Sequence, residues 1–190
     1  MAEKIGGIIM SGGKSSRMGT DKGLMVFKGK QLVEYPIELL HPFCSNIIIS
    51  TNQSAYKKFG LTTVPDIYRN RGPVGGLHAA LNKTDFDFNI VLACDVPFVE
   101  SELFKFLLKE SDGFDAIVPQ HSGGFEPLVA VYRKKIASQF ENNLLNGNYK
   151  LLQILRSSRV KFVNVDHLLL KYPRMFDNLN SPEDLAGNVE

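Results

Sequence analysis

The residues best suited to chemistry crowd into one stretch near the N-terminus, Ser11-Gly12-Gly13-Lys14-Ser15-Ser16-Arg17-Met18-Gly19-Thr20-Asp21-Lys22. Lys14, Arg17 and Lys22 stand there against a single acid, Asp21. Glycines let backbone N–H groups come close to an anion, and the cations supply countercharge. Such a loop suits a triphosphate; the plain alternative is a basic surface turn. Walker A spacing is missing, because Met18 and not glycine stands five residues after Gly13, and Gly12 belongs to no Gly-x-Gly-x-x-Gly fingerprint.

Asp95 closes an apolar run in Cys94-Asp95-Val96-Pro97-Phe98. A carboxylate in that place can hold Mg²⁺, which takes few protein oxygens and keeps waters and substrate phosphates. It could equally shape the turn before Pro97. Gly72-Pro73-Val74-Gly75-Gly76-Leu77, preceded by Arg69 and Arg71, is either a tight turn or backbone laid against a ligand. His41, His78, His121 and His167 share no metal-ligand spacing, and Cys94 reads as a small buried hydrophobe. No Ser/His/Asp or Cys/His constellation can be assembled.

These loops need a scaffold, and the chain offers an alternating one. Apolar strand-like runs cover Ile5–Met10, Asn46–Ser50, Leu61–Val64, Asn89–Cys94, Ala116–Val118, Leu128–Val131 and Val160–Val165. Their continuity predicts burial on both faces of a mainly parallel sheet. Helical spacing covers Gln31–Leu40, where Pro36 should kink or delay the helix, then Ser54–Phe59, Gly75–Asn82, Glu100–Lys109, Lys134–Leu145 and Tyr149–Leu155. A last helix is signposted by Ser181 as N-cap, Pro182 at the first position and Asp184 closing a capping box. The alternation predicts an α/β fold of three layers, α/β/α, with right-handed crossovers. Ligands then bind beyond the carboxyl ends of the strands, where the loops above lie.

The 190 residues carry no repeat or linker and read as one domain, 1–190. With 44% hydrophobic and 22% charged residues the chain is ordinary globular protein, not a disordered one. A net charge of +2 argues against a nucleic-acid surface. No apolar run is long enough to span a membrane, and the N-terminus does not read as a secretory signal. Two cysteines make neither a disulfide framework nor a four-cysteine zinc site, so a cytoplasmic location is expected.

The run Met10–Lys22 resembles the signature of nucleotidyltransferases of the molybdenum cofactor guanylyltransferase (MobA) type, Leu-Ala-Gly-Gly-x-Ser-x-Arg-Met-Gly-x-Asp-Lys. Further matches follow in order: Ser50-Thr51-Asn52, Pro65-Asp66, Gly72–Leu77, Cys94–Phe98 and Asn178-Leu179-Asn180-Ser181-Pro182-Glu183-Asp184-Leu185. Together they span essentially the whole chain. Met10-Ser11 depart from the usual Leu-Ala, and Gly124-Phe125-Glu126-Pro127-Leu128 matches only loosely the segment that faces the acceptor.

The resemblance implies a Rossmann-like nucleotidyltransferase that transfers GMP from GTP to the terminal phosphate of molybdopterin or Mo-molybdopterin, with Mg²⁺ as cofactor. It implies that Met10, Ser11, Gly12 and Gly13 wrap the nucleotide, and that Arg17 and Lys22 neutralise its phosphates. Asn52 and Asp66 would contact guanine, Gly75 and Gly76 would line the pocket, and Asp95 would bind the metal with Asn180 nearby. Molybdenum-insertion or molybdoenzyme chaperone proteins would be docking partners. Two rivals stay open: another nucleotidyltransferase of this fold, acting with CTP or on a sugar or alcohol phosphate, and a non-catalytic nucleotide-binding module. The second should lack the carboxylate and cations that Asp95, Arg17 and Lys22 supply.

Overall fold

Along each central strand successive side chains point to opposite faces, and here both faces are apolar. A computed structural model of the chain describes residues 4–12, 21–180 and 184. In chain order it contains β1 (Ile5–Met10), β2 (Val26–Phe27), β3 (Lys30–Gln31), α1 (Glu34–Leu40), β4 (Asn46–Ser50), β5 (Thr62–Val64), α2 (Gly72–Lys83), β6 (Phe88–Ala93) and α3 (Ser101–Lys109). The second half holds β7 (Ala116–His121), β8 (Gly124–Phe125), β9 (Val129–Arg133), α4 (Ala137–Leu145), α5 (Leu151–Arg156), β10 (Val160–Asn164) and α6 (Asp166–Lys171).

The main sheet runs β10-β7-β9-β6-β1-β4-β5, with β8 paired to β7. Neighbours are parallel except at β9, which is antiparallel to both β6 and β7, and at β8. The sheet is thus mainly parallel, as expected, with the reversal at β9 its chief exception. The link from β7 to β9 is too short for a crossover helix, so the chain turns back on itself.

Period-two sorting produces the layers. Ile9, Ile47, Ile49, Ile90 and Leu92 join one apolar cluster with Leu40 of α1, Leu103, Phe104 and Leu107 of α3 and Leu168 of α6. Ile8, Ile48 and Val91 join the other with Leu77 and Leu81 of α2, Phe140 of α4 and Ile154 of α5. Three layers result, with the sheet in the middle. Among the described residues no helix is long and apolar enough to cross a membrane.

Most strand bounds fall where the apolar runs placed them; the helices moved more. Helix α1 starts at Glu34 rather than Gln31, because Lys30–Gln31 pair with Val26–Phe27 in a hairpin. Its turn residues Lys28 and Gly29 have φ of 47° and 83°, the left-handed pair of a tight hairpin turn. Pro36 then falls in the first turn of α1, where a missing N–H costs nothing. Helix α2 starts at Gly72, not Gly75, since Pro73 fits a helix's first turn. Ser54–Phe59 forms a 3-10 helix, and α4 is preceded by a short 3-10 turn at Lys134–Ile136. Ser181 and Pro182 lie outside the described residues, but Asp184 Oδ2 accepts the Asn180 N–H at 2.8 Å.

The link from α2 into β6 is fixed by one buried amide. Asn89, wholly buried, accepts from Thr84 Oγ1 at 2.7 Å and donates to the carbonyls of Phe86 at 2.9 Å and Asp87 at 3.2 Å. Removing it strands a buried hydroxyl and leaves two carbonyls short of a donor. Asn89→Ala is therefore expected to lower unfolding free energy by about 2–3 kcal/mol. Urea denaturation with an unchanged m-value would measure this; a loss below about 0.5 kcal/mol would show that water replaces the amide there.

Candidate active site

Parallel pairing brings the carboxyl ends of β1, β4, β5 and β6 to one edge of the sheet. Met10 lies opposite Ser50 on one side and Ala93 on the other. The loops leaving these strands surround a cavity of about 460 Å³. That is a size suited to a small-molecule ligand. Its walls divide by element: Met10, Gly12, Asp21 and Lys22 after β1; Ser50, Thr51, Asn52 and Gln53 after β4; Asp66 and Asn70 after β5. Gly72, Pro73 and Gly76 come from the first turns of α2, Ala93, Cys94 and Asp95 from the end of β6, and Leu128 from the start of β9.

The cation and the carboxylate meet at this edge. Lys22 Nζ lies 3.7 Å from Asp95 Oδ2 and donates to Asn180 Oδ1. Asn180 arrives on a strap tied down by the Leu179 N–H, which donates to the Asp95 carbonyl at 2.8 Å. Leu179 is buried in a small cluster with Phe27 and Leu32, against which Tyr35 and Phe98 pack. Lys22 itself rides on a single 3-10 turn, Lys22–Leu24, capped by Asp21. The Lys22 and Asp95 side chains are 30% and 24% exposed, so their pairing is worth at most about 1 kcal/mol and yields readily to a ligand.

The opposite wall carries the second polar pair. Asn52 Oδ1 accepts the Asp66 N–H at 3.0 Å, tying the loop after β5 to the loop after β4. The Asp66 carboxylate lies across the glycine pair of α2. A Cβ on Gly76 would stand 3.5 Å from Asp66 Oδ1 but only 2.8 Å from Met10 Cε and Ser50 Oγ. Only glycine lets helix, strand ends and carboxylate approach this closely.

Of the residues singled out in the sequence, Met10, Gly12, Lys22, Asn52, Asp66, Gly76 and Asp95 share the cavity wall. Asn180 reaches it through Lys22. Ser11 and Gly75 do not line it. Ser11 is fully buried; its N–H donates to the Ser50 carbonyl at 3.0 Å and its hydroxyl to Cys94 Sγ at 3.4 Å. Gly75 faces the Tyr68 carbonyl, 2.8 Å from where a Cβ would stand, so its lack of a side chain serves loop packing. Gly13 and Arg17 lie outside the described residues.

Residues that the motif reading passed over are Asp21, Gln53 and Asn70 above all. Asn70 has φ of 59°, a left-handed conformation that asparagine tolerates better than most, and it stands just before Gly72 with φ of 61°. Asp21 sits in the loop among cations, and its place was legible only as one acid among bases.

The chemistry open to this cavity is narrow. None of the four histidines lines it. Cys94 does, but burial pushes its thiol up to about 12, so it offers no thiolate. His78, buried on α2, is lowered by burial and has no hydrogen-bond partner at either ring nitrogen among the described residues. The described residues contain no cluster of three or more His, Cys, Asp or Glu fit to hold a metal alone. The oxygens of Asp95 and Asn180 suit a hard cation that completes its shell with phosphates and water. The arrangement can bind, orient and neutralise charge, and among the described residues its wall holds no histidine and no thiolate.

Residues 7–162 match the family model of the MobA-like NTP transferase domain. A protein of Pelotomaculum thermopropionicum named as a probable molybdenum cofactor guanylyltransferase is 34% identical over 183 residues, 95% of this chain and 89% of that one. The molybdenum cofactor guanylyltransferase of Vibrio parahaemolyticus is 32% identical, over 96% of this chain and 95% of that one. The crystal structure of molybdopterin-guanine dinucleotide biosynthesis protein A from Archaeoglobus fulgidus superposes with a TM-score of 0.80 at 31% identity, covering 96% of this chain and 95% of that one. Matched along nearly its full length, the chain belongs to the MobA-like NTP transferase family of nucleotidyltransferases.

Proposed function

We propose that the protein transfers GMP from GTP to the terminal phosphate of molybdopterin, with or without bound molybdenum, releasing pyrophosphate. The observation that carries this reading is the contact of Lys22 with both Asp95 and Asn180 at one end of a cavity whose other end holds Asn52 and Asp66. A nucleoside triphosphate laid along it would meet base-reading groups first and charge-neutralising groups last.

The reaction joins an oxygen of the acceptor phosphate to the α-phosphorus of GTP. The bond from that phosphorus to the oxygen bridging the β-phosphate breaks, and pyrophosphate carries away the electron pair. A phosphate monoester is already ionised near neutral pH, so no side chain has to take a proton. Lys22 would leave Asp95 and Asn180 for the β- and γ-phosphates, where charge grows as the bond breaks. Asp95 and the Asn180 side-chain oxygen would hold Mg²⁺, an oxygen set that fits this ion's habit of using few carboxylates plus phosphates and water. When bound, the ion supplies neutralisation of phosphate charge. The Asp66 carboxylate accepts from the N1–H and N2–H₂ edge of guanine, donors that the corresponding edge of adenine does not offer. The product is a labile cofactor, which docking to molybdenum-insertion or molybdoenzyme chaperone proteins would protect. We place the reaction in the cytoplasm, where Cys44 and Cys94, both free thiols, stay reduced.

The direct test supplies molybdopterin with GTP, CTP, ATP or UTP and Mg²⁺, and follows pyrophosphate and the dinucleotide product. GTP alone should react; transfer from CTP alone would assign the chain to cytidylyl chemistry instead. Asp95→Asn keeps the shape and removes the charge that Mg²⁺ needs, so kcat should fall by about a hundredfold or more while the melting temperature holds. Near-normal turnover by that variant would remove Asp95 from the metal site.

Two further substitutions probe the other end of the cavity. Asp66→Ala should bind GTP at least about tenfold more weakly, each lost charged hydrogen bond costing roughly 1.5–3 kcal/mol. It should also erase the parent's preference for GTP over ITP, which lacks the 2-amino group. An unchanged GTP-to-ITP ratio would leave Asp66 as a turn residue. Gly76→Ala should fold, yet bind GTP about tenfold or more weakly by calorimetry, since the methyl group forces Met10 and Ser50 into the cavity. Unaltered affinity would mean that α2 shifts outward without cost.

A further inference from the structure

Asp21 poses a problem for a cavity that takes a triphosphate. It lines the wall, it is an acid, and it stands next to Lys22. An anion there repels the phosphates, and a neutral asparagine or serine would cap the Lys22–Leu24 turn about as well. The charge must therefore serve something else.

Its hydrogen bonds show what. Oδ1 accepts from the Gly23 N–H at 3.0 Å and from the Tyr56 hydroxyl; Oδ2 accepts from Gln53 Nε2 at 2.6 Å. Three donors converge on one carboxylate, and hydrogen bonds to an ionised acceptor are roughly twice as strong as neutral ones. Tyr56 is wholly buried, and burial, followed by the Asp21 carboxylate, holds its hydroxyl well above the ordinary tyrosine range, so it stays a donor. Gly23 is pressed so closely against Tyr56 Oη and Ser11 Oγ that a Cβ would overlap both.

What these bonds fix is the turn that carries Lys22. That turn has three residues and closes with the Met25 N–H on the Lys22 carbonyl at 3.0 Å. So short a helix cannot hold itself, because nucleation outweighs one hydrogen bond. Its direction must come from tethers outside it. On one side the Val33 N–H donates to the Gly23 carbonyl at 2.9 Å and Gln31 Nε2 to the Leu24 carbonyl at 2.8 Å; on the side of Lys22, Gln53 and Tyr56 grip the capping carboxylate from the segment that follows β4, immediately after Asn52.

We propose that Gln53 and Tyr56 are positioning residues of the transfer reaction: they grip the Asp21 carboxylate and thereby aim the Lys22 amine at the phosphate end of the cavity. The inference rests on the guanylyl-transfer reading for its kinetic consequence, but not for its geometry. Losing either donor lets the turn rotate. The amine then leaves Asp95 and Asn180, and meets the leaving group off line.

Tyr56→Phe keeps the ring and removes the hydroxyl; Gln53→Leu removes an exposed amide and leaves the core untouched. One readout needs no substrate. Acetic anhydride labelling of Lys22, followed by mass spectrometry with Lys57 as internal reference, should rise severalfold in each variant, and pyrophosphate should protect Lys22 less. The second readout is guanylyl transfer. Here kcat should fall about tenfold with KM for GTP within twofold, as expected when a group is misplaced rather than lost. In a Lys22→Ala background neither substitution should cost anything more, because the group they aim is absent. Unchanged Lys22 labelling, or an equal loss of kcat in the Lys22→Ala background, would overturn the proposal and leave Tyr56 and Gln53 as packing residues. Should the parent protein transfer no GMP, the functional reading fails, and the labelling result alone decides this one.

Discussion

The site depends on one stretch of parallel pairing: β1 held between β4 and β6. Parallel ladders end together at the carboxyl edge, and here each continues one residue beyond its strand. The Ser11 N–H donates to the Ser50 carbonyl, the Cys94 N–H to the Met10 carbonyl and the Thr51 N–H to the Val64 carbonyl. Ser11, Thr51 and Cys94 thus spend their N–H groups on the sheet. Gly12, Asn52 and Asp95 are the first residues past that fastening, and all three line the cavity. On the loop after β1 the boundary is a single peptide unit: Ser11 stays buried while Gly12 faces the cavity.

A second constraint closes the cavity from far along the chain. Leu179 buries its side chain with Phe27 and Leu32, and its N–H donates to the Asp95 carbonyl. Burying a leucine contributes roughly 1.5–3 kcal/mol, enough to keep the strap seated. The consequence is that Asn180 meets Lys22 across a sequence separation of 158 residues. The β2–β3 hairpin, which looks like an ornament on the sheet, supplies Phe27 and frames the apolar seat for this strap.

Much of this was legible in the sequence, and the exceptions have physical causes. Uninterrupted apolar runs such as Ile47–Ile49 and Ile90–Leu92 announced strands covered on both faces. Helix α6 went unread because Asp166–Lys171 is short, follows β10 after Val165 and buries only Leu168. The direction of β9 is a property of loop length, not of its own residues. In the site, glycines and charges at strand ends could be found because local motifs carry them. Asp21's function could not, since its partners Gln53 and Tyr56 come from a loop more than thirty residues away and have no chemistry of their own. Gly75 and Gly76 both lie near the Asp66 carboxylate, but a helix turns 100° per residue, so Gly76 meets Met10 and Ser50 while Gly75 meets the Tyr68 carbonyl.

A cavity wall with no histidine and no thiolate among the described residues fits the proposed reaction as a physical problem. A phosphate acceptor arrives ionised, so an acid–base pair would have little to do. What opposes the reaction is repulsion between two polyanions brought within bonding distance. The described residues answer that repulsion with few fixed charges. Lys22 is balanced by Asp95 and Asn180 until a ligand takes their place. Asp21 is satisfied by neutral donors, two of them side chains from the loop after β4, and so makes no claim on Lys22. An acid beside a lysine would ordinarily capture it in an ion pair and quench it. By saturating that acid with a hydroxyl, an amide and a backbone N–H, the fold keeps the lysine available while using the acid as its anchor.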